Sequence, residues 1–313
     1  DYYTRRSNAV ISHEIPYENG METMSINGGK LYNKGFEATL SFNPVNTKNF
    51  GINLSVNASK NWNEGGETPF EATYTNFLNG ISTSILKKGY PVNSFWSYDF
   101  AGLDPSNGAP IFNNMDVDNA TALADPTTVL AYSGSKEPEF TGGLNLGVRY
   151  KSLTLRTSFS LLLGGHQRLP NPYRDFSYGV RIPEAYVNLT KELHKRWKEP
   201  GDENRTDIPA LLANNYTMAT PFSPTGGVNM ITHLYQNSDA LVVSSSFLRC
   251  RDLSLSWRMN PEWTKKFGLQ SFLASFSMSN LFVVASDRFN GFDPELEESV
   301  MPKSYSISLS IGF

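Results

Sequence analysis

The chain is poor in the residues from which most catalytic and metal centres are built. Its 313 residues include one cysteine, Cys250, and four histidines. A lone cysteine excludes an intrachain disulfide and any cysteine-rich metal site. His13, His166, His194 and His233 are scattered, and no pair has the spacing of a metalloprotease helix. No Gly-x-Ser-x-Gly elbow occurs, and Thr225-Gly226-Gly227 has no Lys-Ser/Thr after it to hold a phosphate. The expectation is a protein that is not an enzyme and needs no cofactor. A surplus of positive charge is missing too. The net charge is -3, which argues against a nucleic-acid partner. No apolar run reaches the ~18 residues of a membrane-crossing helix. No leader with a basic start and an apolar middle opens the chain at Asp1, so the expectation is a segment of something longer.

What the chain does have is alternation. Tyr305, Ile307, Leu309, Ile311 and Phe313 interleave with Ser304, Ser306, Ser308, Ser310 and Gly312. On a strand this puts every apolar side chain on one face and every small polar one on the other. A soluble edge strand of this kind would be an aggregation hazard, whereas lipid against a closed barrel covers the apolar face. The same pattern recurs from Phe36 to Phe42, Phe50 to Ser59, Trp96 to Ala101, Phe140 to Tyr150, Leu153 to Leu163, Asp252 to Met259 and Ser271 to Ser279. Residues 2–11 and 80–87 repeat it more weakly. These runs approach the ~9–11 residues that a tilted strand needs to cross a bilayer. The expected fold is all-β: a transmembrane up-and-down antiparallel barrel with roughly ten strands in this chain. Aromatic content of 13%, with 20 Phe and 15 Tyr, suits interfacial girdles or sugar-binding surfaces.

Connections between these strands alternate in length. Pro44–Asn49, Lys88–Asn93, Lys151–Ser152 and Asn260–Gly268 are short. His13–Tyr32, Asn63–Asn79, Leu103–Glu139, Gly165–Ser244 and Ser286–Pro302 are long. All short turns then lie at one end of the sheet and all long loops at the other, as in bacterial outer-membrane barrels. The large loop, 165–244, is expected to hold a short helix from Pro183 to Lys198. There Ala185, Leu189, Leu193 and Trp197 recur on one face, and Pro200-Gly201 follows.

Several stretches carry a family likeness. They are Asn33-Lys34-Gly35-Phe36-Glu37, Lys88-Gly89-Tyr90-Pro91-Val92-Asn93-Ser94-Phe95, and Gly102-Leu103-Asp104-Pro105 with Asn107-Gly108. Others are Pro138-Glu139-Phe140-Thr141-Gly142-Gly143, Trp197 with Pro200-Gly201-Asp202 and Pro209, Ser246-Phe247-Leu248-Arg249, and Gly291-Phe292-Asp293-Pro294-Glu295 before a Gly312-Phe313 ending. In order and spread, residues 1–313 resemble the C-terminal portion of SusC/RagA-type TonB-dependent outer-membrane transporters of Bacteroidetes. The resemblance implies a roughly 22-stranded barrel of which this chain holds the last strands. Signal peptide, TonB box, plug and early strands would lie outside it. It also implies outer-membrane location, import of a glycan first or an oligopeptide second, a SusD-like surface lipoprotein partner and the TonB complex. The rivals are a secreted all-β adhesin or carbohydrate-binding module, and a siderophore or vitamin receptor of the same architecture.

Individual residues divide into candidates and bystanders. Sugars offer apolar C–H faces to aromatic rings beside amides and carboxylates. Tyr74 with Asn76 and Phe77, and Tyr173-Arg174-Asp175-Phe176 with Tyr178, offer that mix and are the substrate-binding candidates. Packing within the loops competes with that role. Asp116, Asp118, Asn119 and Asp125 are oxygen donors that calcium would accept, but they lack the glycine and closing glutamate of an EF-hand, so no metal is assigned. Glu295, Glu297 and Glu298 are expected to face solvent. Arg249 and Arg251 share parity with Leu253, Leu255 and Trp257. Either they sit at the outer rim, against lipopolysaccharide phosphates and membrane lipid, or a bulge near Asp252 turns them inward. Arg149, Arg156 and Arg258 fall on the lumen side. Phe313 is the expected C-terminal signal for barrel assembly.

Overall fold

The computed structural model describes residues 1–21, 23–68, 72–79, 86–173, 190–212, 217–223, 231–296 and 299–313. Eight strands form one antiparallel sheet: β1 (Tyr2–Glu14), β2 (Thr23–Asn46), β3 (Phe50–Gly65), β4 (Phe140–Tyr150), β5 (Leu153–Leu163), β6 (Phe247–Arg258), β7 (Ser271–Val284) and β8 (Ser304–Gly312). Each pairs with its neighbours in chain order, so the sheet is a strict up-and-down meander. β1 and β8 are its two open edges.

The alternation read from the sequence holds along this sheet. Phe272, Ala274, Phe276 and Met278 of β7 stand opposite Ile311, Leu309, Ile307 and Tyr305 of β8. Leu54 and Val56 of β3 stand opposite Leu146 and Leu144 of β4. One face is therefore continuously apolar across the strands, and it is bare: Ile307 is 77% exposed and Leu309 64%. Among the described residues, nothing covers Ile307 or Leu309. The other face carries serine, asparagine and aspartate.

The eight strands are fewer than the ten expected, and the difference has a physical cause. Trp96, Tyr98 and Phe100 do alternate, yet the segment Ser94–Tyr98 pairs with Leu130–Ser135 in a separate two-stranded ribbon, with every residue of Ser94–Tyr98 buried. A short strand buried on both faces needs no polar side, and Ser97 and Ser133 hydrogen-bond each other there at 2.6 Å. Lys88–Asn93 is accordingly no turn between barrel strands. The other extra strand, 80–87, falls largely on residues 80–85, outside the described residues; Leu86 and Lys87 are not in a strand.

With Ser94–Tyr98 outside the sheet, the end-to-end asymmetry holds. Thr47–Asn49, Lys151–Ser152 and Met259–Gln270 close one end of the sheet. The last of these is folded, with an α-helix at Pro261–Lys266 capped by the Asn260 side chain. The other end carries residues 66–139, 164–246 and 285–303. The expected loop from His13 to Tyr32 is a correction: most of it is strand. β2 runs for 24 residues, and its upper half pairs with β1 up to Glu14 opposite Thr23. At ~3.3 Å per residue it spans about 80 Å, far more than a bilayer requires, so this hairpin stands well above the sheet.

The chain's main two-sided core lies in those loops rather than in the sheet. Phe77, Trp96, Tyr98, Phe112, Val129, Leu130, Phe222, Ile231, Leu234, Tyr235 and Leu241 pack together. Three small ribbons frame this body: Ser94–Tyr98 with Leu130–Ser135, Phe100–Leu103 with Pro110–Phe112, and His166–Arg168 with Val242–Ser244. Of the expected helix from Pro183 to Lys198, residues 183–189 lie outside the described residues. The remainder is a 3₁₀ turn, Lys191–Lys195, in which Leu193 is buried.

Candidate functional site

The inner wall is built by side chains that bond across strands. Asn63 Nδ2 donates to Asn33 Oδ1 at 2.7 Å, Tyr3 OH donates to Asn61 Oδ1 at 3.0 Å, and the Ser41 and Ser55 hydroxyls lie 2.7 Å apart. Asp252 accepts from Ser279 at 2.9 Å and from Ser158 at 3.3 Å. Arg149 donates to the Thr47 and Lys48 carbonyls at the turn end. These groups occupy the polar parity of β1 to β7, the wall that water would wet.

The loop body is fastened to the upper end of that wall. The Val92 N–H donates to Asn63 Oδ1 at 2.7 Å, and the Gly65 N–H donates to the Tyr90 carbonyl at 2.8 Å. A third fastening settles the two alternatives for Arg249. The β6 register shifts between Cys250 and Asp252 against both neighbouring strands. This bulge reverses side-chain parity, so Arg249 and Arg251 face inward and neither is a rim residue. Arg249, 2% exposed, places Nη2 at 2.5 Å from Asp293 Oδ1. Its Nε lies 2.8 Å from Glu295 Oε2, off the line of a hydrogen bond. Arg251 reaches Glu295 Oε1 at 2.8 Å and Ser160 Oγ at 3.0 Å. Glu295 thus remains exposed to solvent, as expected, and also serves an ion cluster with Arg249 and Arg251. Glu297 and Glu298 lie outside the described residues.

Within the body, Arg168 is the principal polar tie. Its guanidinium donates to Asn237 Oδ1 at 2.9 Å, Ser97 Oγ at 2.7 Å and the Trp96 carbonyl at 3.2 Å. Burial pushes its pKa down to about 10. Two stretches of the family likeness also meet here. Gly108 has φ +69°, and a Cβ on it would lie 2.4 Å from the Trp197 ring; the Ala210 N–H donates to the Gly108 carbonyl at 2.9 Å. Gly108→Ala is expected to force the Trp197 side out of place. Left-handed backbone adds about 1 kcal/mol for a residue with a side chain. Limited proteolysis of intact cells should then cut the 197–210 region faster than in wild type; equal resistance would refute the contact.

Two recesses open beside this body. A groove of about 550 Å³ is lined by Glu192, Lys195, Arg205, Asp207, Tyr235 and Arg288 among others, and a cavity of about 340 Å³ shares Glu192, Lys195 and Arg288 with it. This groove carries both signs of charge. A second recess of about 480 Å³ lies where the upper sheet meets the body. It is lined by Asn61, Trp62, Asn63, Tyr132, Glu137 and His166 among others. It combines ring faces with amides and a carboxylate.

The described residues among the substrate-binding candidates singled out from sequence each have a local partner. Tyr74 stacks on Phe222 with ring centres 4.5 Å apart and serves the core of the body. Asn76 Oδ1 accepts from the Thr73 N–H at 3.0 Å and the Thr73 hydroxyl at 2.6 Å. Tyr173 donates its hydroxyl to the Pro209 carbonyl, and burial raises its phenol pKa. Arg174, Asp175 and Tyr178 lie outside the described residues. Phe313 is 82% exposed beside the turn end. The oxygen donors of 116–125 serve the backbone: Asp118 Oδ1 caps the helix Asn119–Ala124 through the Thr121 N–H, and Asp125 ion-pairs with Lys87 at 3.0 Å. The groove and recess residues carried no sequence signal, since their lining comes from widely separated loops.

No protein-family model matches the chain. It is 24% identical over 94% of its length to TonB-dependent receptor P3 of Formosa agariphila, and 24% identical over 97% to TonB-dependent receptor SusC of Bacteroides thetaiotaomicron. It spans about 28% of the length of each. Among solved structures it superposes along its whole length on the RagAB peptide importer in its closed-closed state, with a TM-score of 0.71 at 22% identity, covering 33% of that chain. The open-open state gives 0.70 at 24% identity and 32% coverage. The likeness to the C-terminal portion of SusC/RagA-type TonB-dependent receptors thus extends over nearly the entire chain. The fold is that of their transmembrane β-barrel, and the sheet's apolar face is its outer-membrane face.

Proposed function

We propose that this chain forms the C-terminal wall and mouth of a TonB-dependent importer of oligomeric nutrients. The observation that carries this reading is the eight-stranded sheet itself. It is bare and apolar on one face, hydrogen-bonded and polar on the other, and topped at the loop end by a folded body. In this reading further strands pair with the open edges of β1 and β8, and a plug fills the lumen. A SusD-like surface lipoprotein closes on the loop body as a lid. The named relative SusC and the RagAB importer support that assembly by similarity. No covalent chemistry is assigned to any residue here.

An oligosaccharide is placed first as substrate. The recess in which Tyr132 stands with Asn61, Asn63 and Glu137 supports it, because a ring and amides suit the two kinds of sugar surface. An oligopeptide is second, and the groove bearing Lys195, Arg288, Glu192 and Asp207 supports it by its mixed charge. Uptake of labelled glycans and peptides by cells carrying Tyr132→Ala with Glu137→Gln, or Lys195→Ala with Arg288→Ala, separates the two. The first pair is expected to lower glycan uptake at limiting concentration by roughly tenfold, equivalent to about 1.4 kcal/mol. If neither pair alters uptake of any oligomer while the barrel is present at normal level, these recesses play no part in transport.

A further inference from the structure

The outer face of the sheet changes character at one height. On β3 the outward positions run Ile52, Leu54, Val56, Ala58 and then Lys60, Trp62 and Glu64. From Phe50 to Lys60 the strand climbs about 33 Å at ~3.3 Å per residue, and a tilt of ~40° leaves about 25 Å of height. That is the height of the apolar band of such barrels, so Lys60 stands at the outer interface. Climbing from it on the same parity, Lys34 opposes Trp62, Arg6 opposes Tyr32, which opposes Glu64, and Lys30 opposes Asn8 about 20 Å farther along the strand at ~3.3 Å per residue. Lys60 Nζ lies 4.9 Å from the centre of the Trp62 ring, and Arg6 lies 5.3 Å from that of Tyr32. Among the described residues, no carboxylate is within ion-pair distance of Arg6, Lys30 or Lys34. Glu139 is 3.7 Å from Lys60, and Glu64 and Glu67 flank the patch, the latter held by Lys88 at 3.0 Å.

Directly beneath this row the apolar face is hollow. Ala58 opposes Gly142, and Gly142 opposes Leu161, so a small side chain and none at all sit between larger neighbours. The result is an apolar groove of about 390 Å³ walled by Val56, Phe140, Leu144, Phe159, Leu161 and Leu248. A groove of this kind on a lipid-facing wall has the shape to take a hydrocarbon chain.

We propose that this part of the outer face binds a phosphorylated lipid of the outer leaflet, with its phosphates held by Arg6, Lys34 and Lys60 and one acyl chain lying in the groove. The proposal rests on the membrane reading of the sheet. Charge complementarity selects the occupant. Cations at the interface attract anionic headgroups, whereas the same residues deeper in the apolar band would be costly. Trp62, Tyr32 and Phe36 interleave with them at the level where aromatic side chains meet headgroups.

The test uses the intact receptor in phosphatidylcholine vesicles containing either bisphosphorylated lipid A or its dephosphorylated counterpart with the same acyl chains. Bound lipid per protein is counted by native mass spectrometry. Wild type is expected to retain the phosphorylated form preferentially. The triple variant Arg6→Gln, Lys34→Gln, Lys60→Gln should lower that retention by roughly ten- to a hundredfold. Ala58→Leu should lower it with every charge in place. Equal retention of the two lipids, unchanged retention by the triple variant, or a second protein occupying this face in their stead overturns the site alone. A receptor that does not enter the vesicles overturns the membrane reading as well.

Discussion

Arg249→Met is expected to destabilise the barrel by about 3–5 kcal/mol, because it strands the Asp293 carboxylate in a buried site. Asp293 is 4% exposed and Arg249 2%, so water cannot replace the lost partner. The effect should show in urea titrations of the membrane-reconstituted receptor, read by the mobility of unheated samples on gels. The double variant Arg249→Met, Asp293→Leu removes both buried charges and should recover most of the loss, the remainder being the Glu295 N–H that loses Asp293 Oδ1 as its acceptor. Glu295 keeps Arg251 as its partner in either variant. A single variant within about 0.5 kcal/mol of wild type, or a double variant no better than the single, would show that the ion cluster does not hold the last loop.

Arginine on β8 provides the second large effect, and it depends on which face it enters. Ile307→Arg places a charge on the apolar face opposite Phe276 and should cost about 2–4 kcal/mol if it lies near the bilayer midplane. Ser308→Arg, one residue on and opposite Ser275, points to the watery side and should cost close to nothing. The same titration measures both. Equal costs at the two positions would mean that hydrocarbon does not wet the face bearing Ile307, and the transporter reading would go with it.

Much of the sheet was legible beforehand because a strand has a period of two. Wherever one face must meet lipid and the other water, that requirement is written into every second residue. The Ile307–Leu309–Ile311 series, the Leu144–Leu146–Val148 series and the turn at Lys151–Ser152 all emerge from that rule alone. The rule misled at Trp96 and Tyr98. There alternation arises in a short ribbon buried in the loop body, and a window of a few residues cannot distinguish burial by protein from burial by lipid. It was also silent on the hairpin above β1 and β2, where the residues between His13 and Tyr32 are polar enough to pass for a loop.

Arg249 shows how one inserted residue changes a side chain's surroundings. Its parity points to lipid, and only the bulge after Cys250 turns it toward Asp293. Similarly, Gly108 and Trp197 were each visible as parts of a family likeness, but not as partners in one contact. The substrate candidates Tyr74 and Asn76 were chosen for their chemistry. The fold uses that chemistry locally, on Phe222 and Thr73, while the open recesses are lined from loops far apart in the chain.

The amino-acid order alone determined the meander, the two-faced character of its strands and the end at which the long connections gather, because each follows from interactions between near neighbours and a solvent. Three-dimensional packing decided the rest: how many strands enter the sheet, which way the arginines of β6 face, and which residues surround the recesses at the mouth. Those outcomes depend on pairings between segments tens of positions apart, and no local pattern encodes which distant partner a residue will meet.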